Sequence, residues 1–394
     1  VISGKSSEEN NERVRYFSKR VMILHIRRAI LAGVIALILA GVILVIVHNY
    51  RNRCFTDYEV IGEESWHVTQ NQTVLAYGSD FLCYSADGIR CSNARGVDLW
   101  SASYLMQNPM VDVCGDYVAA ADRKGRTIYM YDKNGPLGEI DTSSPIERIA
   151  VSAGGVVAVV LDDSTTTPVC LYYYDGRQIA SFRTTMEKSG YPVCVAISDN
   201  SRLVGISYLR VDSGTLISSV AFYNFGEVGK NETDNLVSSN DFQGELVPYV
   251  SFLNNEVSFS VSDKRITLYE GGQIPKNLIS DMLPGEVRSV IRGRNHIGLV
   301  YYDDSGESRY LMQLYNRKGQ HDGQVRFDVE YSDIVITENR VLVYNATSCA
   351  IYTMDGHLKY KGDFDTPVRL MMPTSSTSRY LLVTDDLIRT IQLK

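Results

Sequence analysis

Histidine, cysteine and paired carboxylates are the side chains best suited to catalysis or metal binding, and their spacing in this chain decides which of these chemistries it can carry. The six histidines, His25, His48, His67, His296, His321 and His357, are dispersed along the sequence. A zinc hydrolase needs two histidines one helical turn apart with a glutamate between them. A serine hydrolase needs Gly-x-Ser-x-Gly, and a nucleotide site needs a glycine loop that cradles phosphate; none of these strings occurs. Acidic pairs stand at Asp162–Asp163, Asp303–Asp304 and Asp385–Asp386, and YYDDSGES (301–308) is dense in oxygen donors. The EF-hand spacing is missing, and each pair follows an apolar run where a turn is expected, so they read as solvated turn carboxylates. The seven cysteines contain no Cys-x-x-Cys and no His/Cys ligand spacing. No metal and no cofactor is implied. Cys83 and Cys91 flank the turn at Ala86–Gly88 symmetrically, so a hairpin would set them opposite each other, as a disulfide or, the favoured reading, as two small buried side chains.

What remains is a mixed set of polar residues, Asp112, Arg148, Tyr249, Arg288, Asp333 and Arg369, whose meaning depends on the elements that hold them. Those elements repeat. A short run ending in an aromatic and then a glycine turn recurs seven times: FLCYSADG (81–88), IYMYDKNG (128–135), LYYYDG (171–176), AFYNFG (221–226), ITLYEGG (266–272), LMQLYNRKG (311–319) and AIYTMDG (350–356). Gly88 and Gly356 are six intervals apart, a mean period of about 45 residues, the size of a four-stranded propeller blade. A second set of runs, among them TVLAYG (73–78), VVAVVLD (156–162) and RVLVYN (340–345), supplies a further strand per unit, and no helical period competes after residue 55.

The chain ends with three strands of an eighth unit within residues 367–394, and FTDYEVIG (55–62) is the expected fourth strand that closes the ring. The fold expected is therefore an all-β propeller of eight blades, with seven as the nearest alternative. Tyr84, Tyr131, Tyr174, Tyr223, Tyr269, Tyr315 and Tyr352 fall at matching places in the third strand, where rings would wedge between blades. The six polar residues align at the starts of the innermost strands, at the channel mouth, where they would pair internally or hold a polar ligand or acidic peptide. Two polar excursions, Leu209–Thr215 and Gly229–Gly244, enlarge the fourth blade, as recognition loops or as tolerated insertions.

Ahead of the repeats, Ala29 to Val47 are 19 residues without a polar side chain, about 28 Å of helix and enough to cross a bilayer. Arg13, Arg15, Lys19, Arg20, Arg27 and Arg28 precede the run, and only Arg51 and Arg53 follow closely. This bias predicts a cytoplasmic basic tail (1–28), a transmembrane helix (29–48) and an extracytoplasmic propeller (55–394) in the cell membrane. The apolar run is too long for a signal peptide, and no small-x-small cleavage site follows it. The first residue is Val1, which points to missing upstream residues or an alternative start codon. The formal charge of −7 argues against a nucleic-acid partner.

With its basic tail, single helix and repeats such as LYYYDG and IYTMDG, the chain resembles a family of uncharacterised envelope proteins of Clostridia-like Gram-positive bacteria, from Arg27 to Lys394. The resemblance implies a membrane-anchored propeller and no assigned activity, cofactor or catalytic residue. The repeat length is also similar to that of quinoprotein propellers, whose Trp-containing blade signature is lacking. The function expected is a non-catalytic, membrane-tethered binding or scaffold module with an envelope protein or polymer as partner. The alternatives are an envelope enzyme acting on glycans or peptides at the channel mouth, or a transmembrane sensor.

Overall fold

The computed structural model describes residues 30–43, 45, 53–163, 166–185 and 189–394, in two units that divide after Cys54. In the first, residues 30–43 are helical and their apolar side chains are exposed. Among the described residues no helix is long and apolar enough to cross a membrane. The predicted tail at 1–28, and Ala29, Leu44 and 46–48 of the predicted span, lie outside the described residues.

The second unit is all-β and forms eight four-stranded antiparallel blades. Blades 1 to 7 run Thr73–Ser103, Pro109–Asp141, Ile146–Thr185, Tyr191–Gln243, Tyr249–Met282, Ser289–Phe327 and Asp333–Asp363, and in each the strands pair in sequence order. Blade 8 takes Val368–Pro373, Arg379–Thr384 and Leu387–Leu393 from the C-terminus and its fourth strand, Tyr58–Ser65, from the start of the unit. That strand pairs antiparallel from Tyr58 opposite Leu393 to Ser65 opposite Leu387. It begins three residues later than the sequence pattern suggests, because the Phe55 and Thr56 amides donate instead to the Lys359 and Lys394 carbonyls.

Each seam between neighbouring blades holds its own apolar cluster, and there are eight. A blade is therefore buried on both faces, which is why a second strand such as Val156–Leu161 is apolar at every position and buried throughout. In all eight blades the ladder between third and fourth strands slips by one residue. The residues at the slip are Ser92, Tyr131, Tyr172, Tyr223, Tyr269, Tyr315, Tyr352 and Ile391, all buried. The tyrosines wedge against the preceding blade: Tyr131 stacks on Trp100 at 5.2 Å, Tyr223 on Phe182 at 4.3 Å, and Tyr269 meets Phe222 edge-on at 4.9 Å. After the slip comes the glycine turn, at Gly319 and Gly356 with φ of 74° and 86°. A Cβ on Gly319 would stand 2.4 Å from Ile279 Cδ1 of the blade before, so glycine answers both a left-handed backbone and a tight seam.

Three expectations need correction. FLCYSADG is the second strand and following turn of blade 1, so Tyr84 is not a third-strand residue, and its place is taken by Ser92. In LYYYDG the inward ring is Tyr172; Tyr174 lies in the turn beyond the strand, 37% exposed. Cys83 faces Arg90, and Cys91 faces Leu82, one residue out of the symmetric register. Because strand side chains alternate, that single residue sends the two sulfurs into different seams, Cys83 towards blade 8 and Cys91 towards blade 2. Neither is in a disulfide.

The enlarged fourth blade is strand rather than loop. Leu203–Asp212 and Thr215–Asn224 form a long hairpin whose tip, Ser213 and Gly214, takes the positive φ of a two-residue turn. Two short 3-10 turns, Gly229–Asn231 and Thr233–Asn235, then lead into the fourth strand, Leu236–Gln243.

Candidate functional site in the channel

The first strands of the blades line the channel. Matched through their ladders, Arg148, Tyr249 and Asp333 stand at one level, with Thr73, Met110, Cys194, Ser289 and Leu370 of the other blades. Asp112 lies two residues further along its strand. Arg288 and Arg369 precede that level by one residue, Arg369 where the ladder of blade 8 slips. The six candidates therefore do not form one ring.

Four of them are engaged or stand away from the cavity. Arg369 Nε donates to Asp385 Oδ1 at 2.7 Å within its own blade. Asp333 Oδ2 accepts the Tyr344 hydroxyl at 3.0 Å, and its Oδ1 accepts the Ile334 amide at 2.8 Å. The Arg288 guanidinium lies over the Tyr302 ring, 4.8 Å from its centre. Arg148 is exposed and makes no ion pair among the described residues.

The other two, Asp112 and Tyr249, line a cavity of about 220 Å³ with Cys114, Cys194, Asp199 and Arg292. These groups converge from blades 2, 4, 5 and 6 and are tied across the channel. Asp112 Oδ2 accepts the Val151 amide of blade 3 at 2.7 Å, and Cys114 Sγ donates to Asp199 Oδ1 of blade 4 at 3.4 Å. Arg292 Nη2 of blade 6 reaches the same Asp199 oxygen at 3.7 Å, and Cys194 Sγ donates to the Val250 carbonyl at 3.6 Å. Two carboxylates face one guanidinium, a local balance of −1.

Burial raises the Asp112 carboxyl above its usual range, opposed by the Val151 and Val113 amides and by the charge of Arg292. Burial also raises the Tyr249 hydroxyl. It pushes the Cys114 thiol up to about 12, with the Asp199 carboxylate adding to the rise. A nucleophilic cysteine needs the opposite shift, so at neutral pH Cys114 is a protonated hydrogen-bond donor. The arrangement can receive a small polar group or one side chain of a partner.

Arg292, Asp199, Cys114 and Cys194 are channel residues that the sequence reading missed. Arg292 ends SVIR, the first strand of blade 6, and counting back from the slip residue Tyr315 would have found it. Asp199 sits in a DNS turn that nothing in the sequence separates from the other turn carboxylates.

The model of the family of unknown function DUF5711 matches residues 51–393. The chain belongs to that family. Among curated proteins none matches it in sequence. In structure the chain is similar to BamB from Moraxella catarrhalis, with a TM-score of 0.52 and 11% identity over 86% of this chain and 100% of that one. It is also similar to Chaetomium thermophilum Sqt1, with a TM-score of 0.50 and 11% identity over 87% and 98% of the two chains. At that identity the likeness is one of fold.

Proposed function

We propose that this member of DUF5711 is a non-catalytic binding module, held at the membrane by the apolar run at Ala29–Val47 and displayed outside the cytoplasm, with an envelope protein or polymer as partner. The observation that carries the binding reading is the state of the channel polar groups, which are engaged with one another across blades instead of pairing a nucleophile with a base. Catalysis by Cys114 would require a thiolate, and burial beside Asp199 opposes one. Tethering is supported by the sequence alone: 19 apolar residues, the Lys/Arg excess before them, and only the seven residues 48–54 between Val47 and Phe55.

The test is crosslinking and recovery of the full chain from its own membranes, beside a version carrying an unrelated single-span anchor. The reading expects the same envelope partner with both. Absence of any reproducible partner, together with turnover of a glycan by residues 55–394, would refute it.

A further inference from the structure

A second opening in the propeller has a different lining from the channel cavity. A cup of about 710 Å³ stands at the ends of the first strands, bounded by Arg294 of blade 6, Thr337–Arg340 of blade 7, Pro373–Thr377 of blade 8 and Gly78 of blade 1. Its chemistry is one-sided. Blade 8 contributes TSST (374–377), in which Thr374 Oγ1 donates to the Arg379 carbonyl at 3.0 Å and Ser376 Oγ pairs with Ser378 Oγ at 3.4 Å, while Ser375 and Thr377 are exposed at the cup. Blade 7 contributes Arg340, half-buried, whose Nη1 donates to the Asn339 carbonyl at 3.0 Å. Among the described residues no carboxylate pairs with Arg340. Arg294 meets Glu338 at 3.5 Å, with side chains 81% and 69% exposed, an ion pair of the kind that solvent weakens to little. Two guanidinium groups against one carboxylate leave a local balance of +1 in a chain of formal charge −7.

A guanidinium without a counter-charge, held beside hydroxyl donors, offers an anion a charge-assisted fork. Hydroxyls and guanidinium groups converge here from three blades, so the ligand must accept hydrogen bonds from several directions, which a tetrahedral phosphate does better than a planar carboxylate. We infer that this cup is a phosphate-binding site, with Arg340 as its fixed cation, Arg294 as a mobile one that exchanges Glu338 for the ligand, and the hydroxyls of Ser375 and Thr377 as neutral donors. In the binding module proposed above, it would take the phosphate groups of an anionic envelope polymer. The inference rests on that reading for the polymer but not for the anion.

The experiment titrates the full chain in detergent with inorganic phosphate, glycerol phosphate and acetate, by calorimetry at low and at physiological salt, for wild type, Arg340→Gln and Arg294→Gln. Thermal melts confirm that each variant is folded, and Arg340→Lys supplies a second fold-preserving variant that keeps charge and loses the planar fork. The inference expects phosphate and glycerol phosphate to bind at least ten-fold tighter than acetate and to weaken as salt rises. It expects Arg340→Gln to lose at least ten-fold, Arg340→Lys an intermediate amount and Arg294→Gln two- to five-fold. Phosphate binding that is absent in folded wild type, or that is unchanged in Arg340→Gln, overturns the site. Recovery of an envelope partner in equal yield by wild type and Arg340→Gln separates the polymer from this cup and leaves the binding reading intact. Recovery of none counts against that reading, while the phosphate titration still decides the cup.

Discussion

LYYYDG holds three consecutive tyrosines, and substituting two of them one at a time reads out which one the ring uses. Tyr172 is 6% exposed in the seam between blades 2 and 3. Tyr172→Ala removes a buried aromatic ring and leaves a cavity, a change that costs about 3–5 kcal/mol. Tyr174 is 37% exposed, and its ring stacks on Tyr117 at 6.0 Å. Losing that exposed stack is worth about 0.5–1 kcal/mol. For a domain this large each kcal/mol moves the melting midpoint by roughly 2 °C, so the expected shifts are about 6–10 °C for Tyr172→Ala and about 1–2 °C for Tyr174→Ala. Urea unfolding of the full chain in detergent provides the free energies. It can be followed by the emission of the two tryptophans, Trp66 and Trp100, which sit in the seams on either side of blade 1. Equal costs at the two positions, or a larger cost for Tyr174→Ala, would refute the assignment of the ladder slip as the point where each blade is wedged to the last.

Other consequences are as specific. Asp303 is held to about 2, first by the Ser305 hydroxyl and further by the Ser305 amide, Ser308 and Arg326. A lowered carboxyl pKa stabilises the fold fully above the unfolded value near ~3.9 and loses that contribution as pH falls through about 2; acid melts of Asp303→Asn should therefore lose part of the stability that wild type gains between pH 2 and pH 5. Arg292→Ala removes a charge that favours the ionised form of Asp112, so the Asp112 carboxyl should titrate at higher pH than in wild type; carboxyl NMR with an unmoved signal would contradict the channel geometry. Iodoacetamide near neutral pH should alkylate exposed Cys54 well before Cys114, and peptide mapping with the opposite order would speak against the raised thiol. Mass analysis of unreduced peptides should find no crosslink between Cys83 and Cys91.

The propeller was legible because its signal is repeated. The aromatic-glycine turn recurs at a period that only a four-stranded blade explains, and an incomplete eighth unit demands a strand from elsewhere. Register within a single copy carries no such repeated signal. Any glycine turn after an aromatic looks alike in sequence, so the second strand of blade 1 passed for a third strand. In the same way Tyr174 passed for Tyr172, because which of three tyrosines points inward is set by a ladder slip that leaves no mark of its own. The two cysteines of blade 1 turned on a single residue of hairpin register. The channel residues were half legible for the same reason: Asp112 and Tyr249 do face the cavity, but Arg292 lies three residues past the level of Arg148, Tyr249 and Asp333. The cup escaped because its residues come from four blades, and TSST reads as an ordinary turn until Arg340 is placed beside it.

The outward display of the propeller is the claim on which the biological reading turns, and Cys54 offers a direct test. It is the one exposed cysteine among the described residues and stands seven residues after Val47. Intact cells treated with a membrane-impermeant maleimide should label the protein at Cys54 before any permeabilisation, with the signal lost in Cys54→Ser. Labelling that appears only after the membrane is opened would place the propeller in the cytoplasm and contradict the account.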